Sequence, residues 1–197
     1  VDNLSNWYVR RSRRRFWKSE SDTDKMSAYH TLYECLVTLS KLLAPFAPYV
    51  ADEIYQNLVC SLDKHAPISV HLVDFPVADK SKIDRDLSAD TLLAMRISSL
   101  GRAARSQAGI KVRQPLAKAL IKVASPREQN GVNRFAAQIM EELNVKTLEF
   151  CETAAELDTP ELSFSNEGEI CVGVPKAIPP ELAAEGLARE IVHRLQT

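Results

Sequence analysis

The sequence predicts a mainly α fold, an antiparallel helical bundle over residues 1–115 followed by a small α+β unit over 116–197. Three observations carry that reading. Apolar residues recur at spacings of three and four along 26–43 and again along 93–104, the pattern of helices that bury one stripe. Beyond Pro115 the apolar runs become short and β-like, and glycine and proline punctuate them.

Residues 2–18 contain no proline or glycine and are rich in arginine and aromatics, which predicts a helix. The run 19–24 reads as a turn, with Thr23 or Asp24 available to cap the next helix. From Lys25 onward Met26, Tyr29, Leu32, Tyr33, Leu36, Leu39 and Leu43 fall on one stripe. Pro45 and Pro48 punctuate its end, and Pro48 suits the first turn of a helix running to about Val59. Segment 61–82 holds Pro67 and Pro76 around an extended Ser69-Val70-His71-Leu72-Val73 stretch, the signature of a connector crossing the bundle. A long helix is expected from about Asp84 to Ser106, with the stripe Leu93, Ile97, Leu100, Ala104 and with Gly109 ending it. Strands are expected at 119–124 and 146–151, a helix at 132–143, and two short strands around Asn166-Glu167-Gly168. Pro179-Pro180-Glu181 opens a last helix carrying Leu182, Leu187, Ile191 and Leu195. Val1 in place of methionine, and a last helix without a glycine or asparagine cap, make both ends read as cut; the C-terminal unit is therefore expected to be truncated.

At 197 residues, 45% hydrophobic and 26% charged, the chain can bury a real core. No apolar run reaches the eighteen residues of a membrane span, and no secretory leader is recognisable, so a cytoplasmic, membrane-free protein is expected. Cys35, Cys60, Cys151 and Cys171 form no C-x-x-C pair, which argues against a zinc site and a disulfide framework; they read as small buried apolar residues. His30, His65, His71 and His193 are scattered, and no phosphate loop, metal spacing or nucleophile–base pair can be assembled, so no catalytic residue, metal or cofactor is expected in this segment.

The net charge of −1 conceals strong segregation. Residues 1–18 hold Arg10, Arg11, Arg13, Arg14, Arg15 and Lys18 against Asp2 alone. Residues 101–122 hold six cations and no acid, whereas nine acids face only Lys146 between 141 and 169. Such segregation marks a polyanion-facing surface. On an ideal helical wheel Asn6, Trp7, Arg10, Arg14 and Trp17 share a sector of roughly 100°. Guanidinium groups bind phosphate oxygens and stack on bases, and indoles stack unpaired bases, so this face suits single-stranded RNA. The alternative is a basic helix whose arginines serve protein carboxylates and whose aromatics are core; Arg11 and Arg15, beside Leu4 and Tyr8, fit that role. Lys111 and Arg113, in an extended stretch with Val112 pointing the other way, present two cations either to an RNA backbone or to solvent.

Four segments together resemble one family in its order along nearly the whole chain. The stretch from Val1-Asp2-Asn3-Leu4-Ser5-Asn6-Trp7 through Arg10-Arg11-Ser12-Arg13-Arg14-Arg15-Phe16-Trp17 looks like the opening of the anticodon-binding domain of isoleucyl- and valyl-tRNA synthetases. The stretch Leu36 to Ile54, with Leu43-Ala44-Pro45-Phe46-Ala47-Pro48, is similar to the helical hairpin that follows. Lys111-Val112-Arg113-Gln114-Pro115-Leu116 and Glu185-Gly186-Leu187-Ala188-Arg189-Glu190-Ile191-Val192 resemble the junction and C-terminal segments of the isoleucine enzymes. The resemblance implies a bundle of the class I synthetase anticodon-binding type that docks the anticodon stem-loop of tRNA(Ile). It implies a monomeric parent isoleucine–tRNA ligase whose other domains use ATP with Mg. By resemblance Asn6, Trp7, Arg10, Arg11, Arg13, Arg14, Arg15 and Trp17 are the RNA-facing or RNA-orienting motif. Lys25-Met26-Ser27 echoes the class I signature that steadies ATP phosphates, but Ala28 and Tyr29 replace its last two residues, so no such role is assigned. A valyl-tRNA synthetase fragment and a stand-alone tRNA-binding module are the alternatives.

Overall fold

The computed structural model describes residues 2–18 and 22–196. Two compact units emerge, Val1–Ser81 and Lys82–Thr197, so the structure divides the chain at 81/82, not at the expected 115/116. The physical reason is that the long helix expected to complete the bundle spends its apolar stripe on the sheet.

In the first unit a π-helical segment, Leu4–Val9, leads into α1, Arg10–Lys18, and α2 follows over Asp22–Leu43. Of the expected turn 19–24, residues 19–21 lie outside the described residues, and Thr23 and Asp24 sit within the first turn of α2, not ahead of it. The predicted stripe of α2 is only partly covered: Met26 is 65%, Tyr29 43% and Tyr33 37% exposed. The fully buried positions are instead the small ones, Ala28 and Ser40. A residue without bulk leaves its own backbone within reach of a neighbouring side chain, and the Tyr8 hydroxyl donates to the Ala28 carbonyl at 3.2 Å. The Lys25-Met26-Ser27 echo lies inside this helix. α3 spans Pro48–Tyr55 with its proline in the first turn, as expected, and continues as a π-helical segment, Gln56–Cys60.

The connector crosses α3 at one point. Asp52 accepts from the Ser69 hydroxyl at 2.7 Å and the Val70 amide at 2.8 Å, and Val70 packs with Ala51 and Tyr55 over Leu43, Val59 and Val73. Residues Val70–Leu72 form a single 3₁₀ turn, not the expected extended stretch, because the Ser69 side chain caps it by accepting from the His71 amide. The Ser69 hydrogen bond, followed by that of Val70, holds the Asp52 carboxyl below its ordinary value of 3.8. A carboxyl whose folded pKa is lowered contributes stability that is complete above its unfolded pKa and is lost as pH falls through the folded value. Urea unfolding between pH 6 and 3 is therefore expected to show a steeper acid loss in the natural chain than in Asp52→Asn; superimposable pH profiles would remove Asp52 as the latch.

In the second unit α4, Arg85–Gln107, starts at Asp84, whose side chain accepts from the Leu87 amide at 2.8 Å. It ends just before Gly109, whose φ of +68° takes the left-handed conformation that lets the chain turn away. The sheet has the order β2-β1-β4-β3, from β1 Leu116–Lys122, β2 Val145–Phe150, β3 Leu162–Glu167 and β4 Ile170–Pro175. β1 runs parallel to β2, and the other pairings are antiparallel. A parallel pair needs a crossover, supplied by α5 Pro126–Arg134 and α6 Ala136–Leu143. The single helix expected over 132–143 is thus two helices, broken at Phe135 (φ −104°, ψ 12°). Ser125 caps the first through the Glu128 amide, and Glu128 reaches back to the Ala124 amide at 2.8 Å. Gly168, with φ +60°, turns β3 into β4. The helix α7 spans Pro180–Gln196.

Leu93, Ile97, Leu100 and Ala104 of α4 pack with Leu116, Ala119, Ile121, Ile139, Leu143, Val172 and Val174 in one core. The buried Ser163 hydroxyl donates to the Ala104 carbonyl at 2.8 Å, fixing β3 against α4. No helix among the described residues is long and apolar enough to cross a membrane.

Candidate nucleic-acid interface

Ser12 and Phe16, one turn apart on α1, are buried, and the Phe16 ring lies 5.1 Å from that of Tyr29 on α2. That contact sets the orientation of α1 about its axis. The side opposite, at spacings of three, four and seven, carries Arg10, Arg13, Arg14 and the 72% exposed Trp17. Asn6 is exposed as well, and its carbonyl accepts from Arg10 Nε at 2.8 Å.

The wheel drawn for an ideal helix needs one correction. Over Leu4–Val9 the chain is π-helical, where each residue turns through less than 100°, so the positions before Arg10 are out of phase with those after it. Trp7 is half-buried, and the Arg11 guanidinium carbon stands 5.3 Å from the centre of its ring, a cation–π pair. Arg15 is committed to the fold: it holds Asp24 in a two-pronged pair, Nε at 3.0 Å and Nη2 at 2.7 Å from Oδ1. The Asp24 hydrogen bond is also the main reason that the Arg15 pKa is raised. The sequence motif therefore resolves into an outward set, Asn6, Arg10, Arg13, Arg14 and Trp17, a stacked pair, Trp7 and Arg11, and a clamp, Arg15. Lys18 belongs to the basic run; its side chain lies outside the described residues.

The second basic segment is built around a buried cation that charge counting put on the surface. Arg105 is 0% exposed. Its Nη1 donates to the Leu143 carbonyl at 3.0 Å, and its Nη2 donates to the carbonyls of Lys111, at 2.6 Å, and Gln114. Its Nε is buried and has no partner among the described residues. Burial pushes the guanidinium down to about 10, still charged at neutral pH. Residues 111–114 are a turn closed by the Gln114 amide on the Lys111 carbonyl at 3.0 Å, not the expected extended stretch. The cause lies in Asn144, the left-handed cap of α6 (φ 50°), whose amide nitrogen donates to the carbonyls of Val112 at 3.0 Å and Arg113 at 2.9 Å.

Lys111 and Arg113 still share a side, and both face Glu190 of α7, at 3.6 and 3.8 Å. Val112 is not buried opposite them but 44% exposed. Gln114 donates to the Leu182 carbonyl at 2.6 Å, and Arg189 reaches the Asn144 side-chain oxygen at 2.8 Å. Sequence reading missed Asn144, Gln114 and Glu190. An asparagine directly after a helical run is a left-handed cap signal that could have found the first; nothing local marks the other two.

Among the described residues no cluster of histidine, cysteine or acidic side chains could hold a metal ion. The four cysteines are free; Cys171 is buried, but Cys35, Cys60 and Cys151 are only half-buried, less enclosed than expected.

A family model described as the anticodon-binding domain of tRNA ligase matches residues 1–121. An isoleucine–tRNA ligase of Dehalococcoides mccartyi (strain CBDB1) is 59% identical over 197 residues, all of this chain and 19% of that protein. Its counterpart from another strain of the species is 58% identical over the same span. The isoleucine–tRNA ligase of Thermus thermophilus is 46% identical over 157 residues, 80% of this chain and 15% of that protein. The chain thus spans about a fifth of the length of the first of these curated relatives.

Proposed function

The chain belongs to the family of anticodon-binding domains of tRNA ligases, and from that membership we propose that it binds the anticodon stem-loop of tRNA(Ile) within an isoleucine–tRNA ligase. The observation that carries the reading is the outward face of α1, where Arg10, Arg13 and Arg14 stand beside an indole left 72% exposed. An indole gains by leaving water; a large one kept in solvent among cations is suited to stack an unpaired base while the guanidiniums hold the adjoining phosphates. Trp7 with Arg11, and the Arg15–Asp24 clamp, orient that face. Lys111 and Arg113 add a second basic contact.

This segment supplies affinity and register and no reacting group. Activation of isoleucine with ATP and Mg, and transfer to the tRNA end, belong to other domains of a monomeric cytoplasmic parent. The isoleucine name of the relatives supports tRNA(Ile) over the valine alternative and over a stand-alone module. Titrating the parent ligase with tRNA(Ile) transcripts that carry an isoleucine or a valine anticodon tests the reading. Stacking accepts any base, so discrimination falls to hydrogen bonds on base edges, worth about 1–3 kcal/mol for a good pair against the wrong base, and the swap is expected to weaken binding by about tenfold. Equal affinity for both transcripts would overturn anticodon recognition.

A further inference from the structure

The turn 111–114 has an unusual polarity. The carbonyls of Lys111 and Gln114 are drawn to the buried Arg105, and those of Val112 and Arg113 to Asn144. All four carbonyls are thereby turned to two side-chain donors. No cis peptide interrupts the chain, and in a trans peptide the N–H points opposite to the C=O of the same plane. The amides of Val112 and Arg113 are consequently aimed away from Arg105 and Asn144. Neither donates to another described residue. The Gln114 amide closes the turn, and Pro115 has none.

Adjacent outward amides form a concavity suited to an anion. The side chains agree: Lys111, 76% exposed, and Arg113, 54% exposed, converge on one carboxylate, that of Glu190. Arg194 approaches the same carboxylate at 3.9 Å. Two cations that can meet on one carboxylate can meet on one phosphate. Beneath them the charge of Arg105 is met by carbonyl dipoles, and no carboxylate forms an ion pair with it among the described residues.

We propose that this turn is a backbone-phosphate site for RNA: Lys111, Arg113 and the outward amides of Val112 and Arg113 hold one phosphodiester, and Glu190 is an internal competitor for the two cations. Arg105 and Asn144 are positioning residues that fix the polarity of the turn without touching the ligand. The inference rests on the tRNA reading above and goes beyond it in assigning the amides, the competitor and the two positioning residues.

The decisive variant is Glu190→Gln, nearly isosteric, in the parent ligase titrated with tRNA(Ile) transcript. Each exposed ion pair is worth up to about 1 kcal/mol, so removing the competitor is expected to tighten binding about threefold at low salt. The gain should fade as salt rises and vanish when Lys111→Ala and Arg113→Ala are also present. Unchanged or weaker binding by Glu190→Gln, or a gain that survives loss of both cations, overturns the site. An Arg10→Ala/Arg14→Ala protein measured alongside separates the two readings. If it binds more weakly while Glu190→Gln is silent, only the turn site falls; if neither change moves affinity, the RNA reading falls with it.

Discussion

Replacing Arg10 and Arg14 together by alanine is expected to lower the affinity of the parent ligase for tRNA(Ile) by about 10- to 100-fold at low salt. Each phosphate contact that is lost removes roughly one from the slope of log affinity against log salt, so the salt dependence should flatten by about two. The change should leave the fold intact. Both residues are exposed, whereas α1 is held to α2 by Phe16 against Tyr29, by Arg15 on Asp24 and by Tyr8 on the Ala28 carbonyl. Filter binding at several salt concentrations, with circular dichroism as the check on folding, measures this. An unchanged affinity and slope would show that the outward face of α1 is not an RNA face, whatever the family.

Arg105→Ala is expected to destabilise the second unit by about 2–4 kcal/mol in urea unfolding. Two effects oppose each other. Removing a buried guanidinium relieves its desolvation, the cause of its lowered pKa. Against that, the carbonyls of Leu143 and Gln114 lose their donor and that of Lys111 keeps only the Gln114 amide, at about 1–3 kcal/mol for each one left buried and unsatisfied, and the space of a fully buried side chain is vacated. The three lost acceptor bonds outweigh the relief of one desolvated charge that already lacks a partner at Nε. Arg105→Lys should recover only part, because an ammonium lacks the planar fork that serves carbonyls on both sides. Stability within about 0.5 kcal/mol of the natural chain, the ordinary range of surface substitutions, would mean that the turn holds itself.

These three arginines mark how far the chain could be read without its fold. α4 was legible because its stripe of Leu93, Ile97, Leu100 and Ala104 is buried in one core with residues of the sheet and of α5 and α6. The hairpin of β3 and β4 was legible because Gly168 sits where φ must be positive. Ser125-Pro126 with Glu128 is an equally readable helix start, whereas the apolar pattern over 132–143 carries no sign of the break at Phe135. The stripe of α2 misled because periodicity records which residues are apolar, not how much of them a neighbouring element covers; Met26 and Tyr29 remain exposed while Ala28 carries the close approach.

What the sequence by itself determined is the order of helices and strands, the segregation of charge and the arginine–tryptophan motif, since all three follow from residue spacing along one chain. Only the tertiary structure decided what each cation does. Arg15 met Asp24, Arg105 went inside to collect carbonyls, and Lys111 and Arg113 turned to Glu190. The reason is that a charge tally assigns every arginine to the surface, whereas burial depends on whether distant segments bring acceptors together. The Leu143 carbonyl is 38 residues from the arginine it satisfies.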